Sequence, residues 1–134
     1  MPVAETDLSV QDVIAVAEFR AALRRFSRRS ERVARAAGLT PQRYLLLVMI
    51  KGSKAGDEQS TVTELSERLQ LAQSTVTELV RRAEEAGLIE RERSAEDARV
   101  AHLRLSAEGE KRLARAFSGL TAERHALAEA VAHL

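Results

Sequence analysis

Two short helical segments joined by a very tight turn constrain the fold of this chain more than any other feature of its sequence. Apolar residues recur at three- and four-residue steps over about 63–70 and again over about 73–86, which predicts two amphipathic helices. Only Leu71 and Ala72 lie between the two segments, and Gly87 is placed to end the second one. An αα turn of this length is typical of a helix-turn-helix.

The segment after this helix pair predicts a β-hairpin. The runs 88–93 and 100–105 have the composition of two strands, and the residues 94–99 lie between them as a turn. A hairpin directly after the second helix of such a pair is a wing. The segment 61–105 is therefore predicted to form a winged helix-turn-helix.

The N-terminal part of the chain is predicted to form two further helices. Ser9 is placed to cap the first, which ends at Gly38, a residue suited to the left-handed conformation at a helix C-terminus. Thr40 and Pro41 begin the second, because Thr is a good N-cap and a proline at the first helical position loses no hydrogen bond. A polar, glycine-containing loop over 51–60 follows.

The C-terminal part predicts a helix capped by Ser106 and a short last helix. The predicted fold class is therefore mainly α with a small β wing, in the order α-α-α-α-β-β-α-α. The apolar stripes at both ends have no obvious partner in so short a chain, so we expect a homodimer built from N- and C-terminal helices. We expect a single domain over 1–134, with dimerisation helices in 8–50 and 107–134 and the DNA-binding region in 61–105.

Composition excludes several classes of protein. The 134 residues include no cysteine, which excludes disulfides, thiolate metal sites and thiol-based redox sensing. No apolar run approaches the ~18–20 residues that cross a bilayer, and the first ten residues lack the pattern of a signal peptide. We therefore expect a cytoplasmic protein without a membrane partner.

Residues that could carry enzymatic chemistry are sparse. The three histidines, His102, His125 and His133, are scattered, and only His125 with Glu129 has a spacing suited to metal ligands. A single pair of this kind is more typical of an exposed helix surface. The sequence has neither a glycine-rich phosphate loop nor a nucleophile elbow. We expect no enzyme activity, no metal site and no cofactor.

Net charge alone does not indicate a nucleic-acid-binding protein. The formal charge of the chain is +1. Residues 18–43 contain eight arginines and two glutamates, whereas residues 61–105 contain seven arginines and nine acidic residues. The positive excess therefore lies on the first predicted helix and not on the winged region, so the argument for DNA binding depends on the placement of individual residues.

The second helix of the pair predicts a DNA-reading face at its N-terminal end, the end that enters the major groove in a helix-turn-helix. Glutamine can pair with adenine, and serine, threonine and arginine can bond to bases or phosphates. Polar residues at a helix start also serve as caps, so this face alone favours function only modestly. The predicted contact residues are Gln73, Ser74, Thr75, Thr77, Arg81 and Arg82.

The predicted wing adds a second basic element. Arg93 and Arg99 lie on or near the hairpin, together with Arg91. An arginine at a wing tip can enter a narrow A·T-rich minor groove. Asp97 is placed to hold the Arg99 guanidinium in a bidentate pair. The alternative is an ordinary surface ion pair worth ~0–1 kcal/mol.

Six segments, in order along the chain, resemble the multiple-antibiotic-resistance regulator (MarR) family of winged helix-turn-helix transcription regulators. The most specific part is the Asp-x-Arg of the predicted wing followed by Leu-Ser-x-x-Gly. The matching segments are LTPQRY (39–44), TELSERL (63–69), STVTELVRR (74–82), GLIER (87–91), DAR (97–99) and LRLSAEG (103–109).

The resemblance implies a homodimer that binds pseudo-palindromic operators in double-stranded DNA and usually represses transcription. Many members release DNA when a small aromatic or anionic ligand binds between the dimerisation and DNA-binding regions. Arg99 would enter the minor groove, and Asp97 would support it. The residues that would read or anchor in the major groove are Ser74, Thr75, Thr77 and Arg81.

Two residues depart from the family pattern. Ala72 stands where members often have a small polar N-cap, whose loss typically costs ~1 kcal/mol. Glu78 stands where members often have a basic or small residue; a carboxylate there repels phosphate or accepts from cytosine N4. We expect Glu78 to pair with Arg81 or Arg82 when DNA is absent.

An effector site is harder to predict. The aromatic residues expected near the junction of the first two helices are Phe19, Phe26 and Tyr44, although such residues are more often part of a core. The favoured interpretation is a ligand-responsive repressor. Two alternatives stay open: a constitutive DNA binder without an effector, and a helical dimer that mediates protein interactions without binding DNA.

Overall fold

The computed structural model describes residues 7–97 and 99–134 of the chain. It confirms the predicted fold class, with helices and one antiparallel pair of strands in the predicted order. Residues 1–6 of the predicted domain and Ala98 of the predicted wing tip lie outside the described residues. The elements are α1 (Val10–Ala36), α2 (Pro41–Lys51), α3 (Val62–Leu69), α4 (Gln73–Glu85), β1 (Ile89–Arg93), β2 (Ala101–Leu105), α5 (Ala107–Ser118) and α6 (Thr121–Ala132).

Four of the described helices, α1, α2, α3 and α5, begin at side-chain caps. The hydroxyls of Ser9, Thr40 and Ser106 each accept a hydrogen bond from the backbone N–H three residues further along, at 3.3, 3.1 and 3.0 Å. All three caps were predicted. At α3 the structure adds a reciprocal capping box between Thr61 and Glu64 that the sequence analysis did not identify. Local hydrogen bonding therefore determines where these helices start.

The hydrophobic core surrounds α2. Leu46, Leu47 and Ile50 are completely buried, and they pack in one cluster with Val76 of α4 and Leu103 of β2. Because α2 contacts α3, α4 and β2, the helix pair and the wing form one packed unit around it. Each buried side chain of this size contributes about 1.5–3 kcal/mol of hydrophobic stabilisation.

The predicted polar loop 51–60 is only partly irregular. Lys51 still belongs to α2, and Ser60 pairs with Leu103 through two backbone hydrogen bonds of 3.0 and 2.8 Å. The end of the loop thus adds a short antiparallel bridge to β2. This pairing ties the start of α3 to the wing.

An apolar surface is exposed where α1 and α6 lie side by side. Val13, Ile14 and Val16 on α1 and Val131 on α6 are each 44–50% exposed. The two helices pack against each other. None of the helices in 7–97 and 99–134 is long and apolar enough to cross a membrane.

Candidate nucleic-acid interface

The turn between α3 and α4 depends on one left-handed residue. Gln70 adopts φ 56° and ψ 44°, a conformation in which a residue with a Cβ is uncommon. The Ser66 hydroxyl donates to the carbonyl of Leu71 at 2.6 Å, and the Leu71 N–H donates to the carbonyl of Ser66 at 3.1 Å. These bonds hold the turn closed and set the direction of α4. A glutamine carries little turn signal, so the sequence did not identify this position.

The N-terminal end of α4 is open to solvent. Ala72 is the N-cap, and its side chain cannot accept a hydrogen bond from the first turn. The backbone N–H groups there are consequently available to an anion, such as a DNA phosphate. The Gln73 amide donates to the Thr63 hydroxyl at 3.4 Å. Four of the predicted contact residues are exposed in this first part of the helix: Gln73, Ser74, Thr75 and Thr77.

The opposite face of α4 is anchored in the core. Val76, Val80 and Ala83 have no exposed surface. Since residues three and four apart share one side of a helix, this burial directs the polar residues of α4 outward. The helix therefore presents its polar side as a fixed, rigid surface.

Glu78 binds both arginines of the predicted reading helix. Its carboxylate accepts from Arg81 Nε at 2.9 Å and Nη2 at 2.6 Å, and from Arg82 Nε at 3.0 Å. Arg81 also contacts Glu85. The hydrogen bond from Arg81 is the main cause that lowers the pKa of Glu78 to about 2. The expected pairing of Glu78 is confirmed, and it involves both arginines.

We expect a carbon-detected NMR titration to find the Glu78 carboxyl still ionised well below its ordinary pKa of 4.5. Arg81→Ala should move the midpoint upward because the largest stabilising hydrogen bond is lost. Arg82→Ala, the matched control, should move it less. Any contribution of this lowered pKa to folding stability is fully present above pH 4.5 and is lost as the pH falls towards 2. Equal shifts in both variants would contradict the assignment of Arg81 as the main partner.

The wing tip holds the predicted Asp97–Arg99 pair. Asp97 Oδ1 accepts from the Arg99 backbone N–H at 3.0 Å and from Nε at 3.2 Å, and Oδ2 accepts from Nη2 at 3.4 Å. These bonds lower the pKa of Asp97. The Arg99 side chain is nevertheless 92% exposed. The arginine is thus oriented by its neighbour and remains accessible to a ligand.

An ion pair joins the wing to α4. Arg91 Nη2 lies 2.7 Å from Glu84 Oε1 of α4. Arg93 is exposed at the last position of β1, where it pairs in register with Ala101. The base of the wing and α4 therefore belong to one surface.

The three predicted effector residues do not gather around one cavity. Tyr44 is 8% exposed in the core, and its burial raises its pKa. Phe19 and Phe26 are half-buried on α1. The cavity between α2 and α5, of about 350 Å³, contains none of the three in its wall. His125 and Glu129 are exposed, and the part of the chain that the structure describes contains no cluster of three or more potential metal ligands.

A helix pair with an exposed polar N-terminus on its second helix, followed by a hairpin that presents an arginine, defines a winged helix-turn-helix protein. Comparison with known proteins agrees. A model of the MarR family matches residues 37–100, which extend from the end of α1 through the wing tip. No curated protein matches the chain significantly.

Several solved structures share the fold. Sco3205 of Streptomyces coelicolor, a MarR family transcriptional regulator solved in complex with DNA, is 26% identical with a TM-score of 0.62, over 92% of this chain and 78% of that one. AbsC of the same organism is 20% identical with a TM-score of 0.68, over 92% and 83% of the two chains. Apo MarR from E. coli is 16% identical with a TM-score of 0.66, over 96% and 87%.

The chain is thus similar to MarR family regulators, in sequence over residues 37–100 and in fold over most of its length. Members of this family are transcription regulators and not enzymes, which confirms the expectation drawn from the sparse histidines.

Proposed function

We propose that this regulator is a homodimer that binds a pseudo-palindromic operator and represses transcription until a small molecule releases it. The observation that carries the proposal is the exposed polar N-terminal end of α4, fixed from behind by Val76, Val80 and Ala83. Its target would be chromosomal DNA, so its proposed site of action is the cytoplasm.

The proposed contacts follow from side-chain chemistry. Gln73, Ser74, Thr75 and Thr77 would meet base edges and nearby phosphates in the major groove, and the open N–H groups of α4 would bind a phosphate. Arg99, held by Asp97, would enter the adjacent minor groove. Arg81, Arg82 and Arg93 would bind phosphates. Sco3205, which shares this fold, was solved in complex with DNA, and that supports DNA binding by this chain.

Binding to duplexes from upstream of the gene tests the proposal directly. Fluorescence anisotropy should find one fragment bound far more tightly than a scrambled duplex of the same length, with affinity falling steeply as salt rises. A reporter under that fragment should be silenced by the protein. The absence of any preferred fragment at low salt would contradict DNA-directed function.

The dimer proposal is supported by the exposed apolar surface of α1 and α6. Val16→Glu places a charge in that surface and should shift the protein from dimer to monomer in sedimentation equilibrium, because burying an unpaired carboxylate at an interface is costly. Ala55→Glu, in the exposed loop between α2 and α3, adds the same charge and should leave the dimer intact. A dimer unchanged by Val16→Glu would contradict the assignment of this surface.

The effector proposal is supported by the cavity between α2 and α5. Its wall is mostly apolar and includes Val48, Leu113 and Phe117. Lys51 at its edge already binds Glu58 and Glu110, at 2.6 and 2.9 Å. The cavity therefore favours an aromatic ligand over a strongly anionic one. A panel of phenols and aromatic carboxylates should contain a compound that raises the melting temperature and releases DNA. No response across the panel would favour the constitutive binder.

One observation favours a second function, a dimer that mediates protein interactions without binding DNA. The winged region 61–105 contains more acidic than basic residues, and Glu78 neutralises arginines on the reading helix. Co-purification of one protein partner, together with the absence of salt-dependent DNA binding, would support this alternative.

A further inference from the structure

The reading helix carries no net positive charge. Between Gln73 and Glu85 it contains two arginines and three glutamates. Both arginines bind Glu78, and Arg81 also binds Glu85. Without DNA, these guanidinium groups are therefore occupied within the helix itself.

Glu78 lies in the middle of the exposed face of α4. It follows Ser74 by four residues and Thr75 by three, and it precedes Arg81 by three, so all of them lie on adjoining turns of one side. Its side chain is 45% exposed, whereas Val76 and Val80 on the opposite side are buried. Any DNA that the helix reads through its polar N-terminal residues also meets this carboxylate.

We propose that Glu78 is a specificity-determining residue of the reading helix, which exchanges its arginine partners for the N4 amino group of a cytosine on the operator. This inference rests on the proposed DNA-binding function. On DNA without a cytosine at this position the carboxylate lacks a matching partner and repels phosphate, and the two arginines stay bound to it. On the operator the cytosine satisfies the carboxylate, and Arg81 and Arg82 turn to phosphates.

Cytosine fits this position better than the other bases. A carboxylate only accepts hydrogen bonds, and the major-groove edges offer donors on cytosine N4 and adenine N6. Adenine places its N7 acceptor beside N6, where it repels the second carboxylate oxygen. Glutamine has a donor for N7, so Glu78→Gln should change the preferred base at that position from cytosine to adenine.

The exchange also predicts a change in salt dependence. Each arginine that binds a phosphate releases counterions and steepens the slope of log K against log salt by about 0.9. Glu78→Gln removes, on every duplex, the charged partner that the two arginines share; Arg81 keeps Glu85. Non-specific binding should therefore become tighter and more salt-dependent in this variant.

The experiment compares Glu78→Gln with Glu85→Gln on the operator, on its single-base variants and on a scrambled duplex. Glu85 also contacts Arg81 and carries the same charge, but it lies seven residues, or about 10 Å, further from the polar end of the helix. Glu78→Gln should lower the operator-to-scrambled affinity ratio about tenfold or more and favour adenine at one position. Glu85→Gln should change that ratio less than about twofold, because it faces no base edge.

Three outcomes would count against the inference. Equal effects of the two variants, or a uniform gain on all duplexes with an unchanged affinity ratio, would overturn it and leave the DNA-binding function intact. Wild-type protein that prefers no duplex would overturn the DNA-binding function and this inference together. Circular dichroism and melting curves of both variants establish that the comparison is made between folded proteins.

Discussion

Arg99→Ala should weaken operator binding by about 1–3 kcal/mol, a roughly 5- to 150-fold rise in Kd. The Arg99 side chain is 92% exposed, and Asp97 orients it through three hydrogen bonds that involve its backbone and guanidinium. An oriented guanidinium loses less conformational entropy when it enters a minor groove. Fluorescence anisotropy on the operator measures the change.

Two further variants serve as comparisons for this measurement. Arg115→Ala removes the same charge from the exposed surface of α5, outside the winged region, and should leave affinity nearly unchanged. Asp97→Asn keeps Arg99 but weakens its support, so it should cause a smaller loss than Arg99→Ala. Unchanged affinity in Arg99→Ala would mean that Asp97 and Arg99 form an ordinary surface ion pair without a role in DNA binding.

Gly109→Ala should destabilise the fold by about 2–4 kcal/mol, at the upper end of overpacking effects. A Cβ on Gly109 would lie 2.1 Å from the carbonyl oxygen of Leu88, a backbone atom that cannot move aside cheaply. The same carbonyl accepts from the Ser106 N–H at 2.9 Å, and the Ser106 hydroxyl donates to the carbonyl of Gly87 at 2.6 Å. The first turn of α5 is thus bonded directly to the start of the wing.

Urea unfolding of Gly109→Ala measures this effect, with Gly119→Ala as the matched control. A Cβ on Gly119 would lie 2.8 Å from Val33 Cγ1, a side-chain atom that can shift by a few tenths of an ångström. The control should therefore lose less stability, and Gly109→Ala should also loosen the wing relative to α4. A smaller loss in Gly109→Ala than in the control would contradict the close approach to Leu88.

The contacts that the sequence predicted well are those between residues close together in the chain. Glu78 with Arg81 and Arg82 and Asp97 with Arg99 are separated by two to four residues. Helix geometry or a short turn brings such residues within reach whatever the rest of the chain does. A ligand site formed by Phe19, Phe26 and Tyr44 depends on how distant elements pack together, which local patterns do not reveal. The wall of the cavity between α2 and α5 contains none of the three residues, so their ligand-binding role stays a prediction.

The sequence by itself determined the order of helices and strands, the caps at Ser9, Thr40 and Ser106, and the polar face at the start of α4. Periodicity and capping depend on neighbours in the chain, so they can be read locally. Only the tertiary structure decided the bridge from Ser60 to Leu103 and the approach of Gly109 to Leu88. These contacts join segments far apart in sequence, and they exist because the core around α2 brings their backbones together.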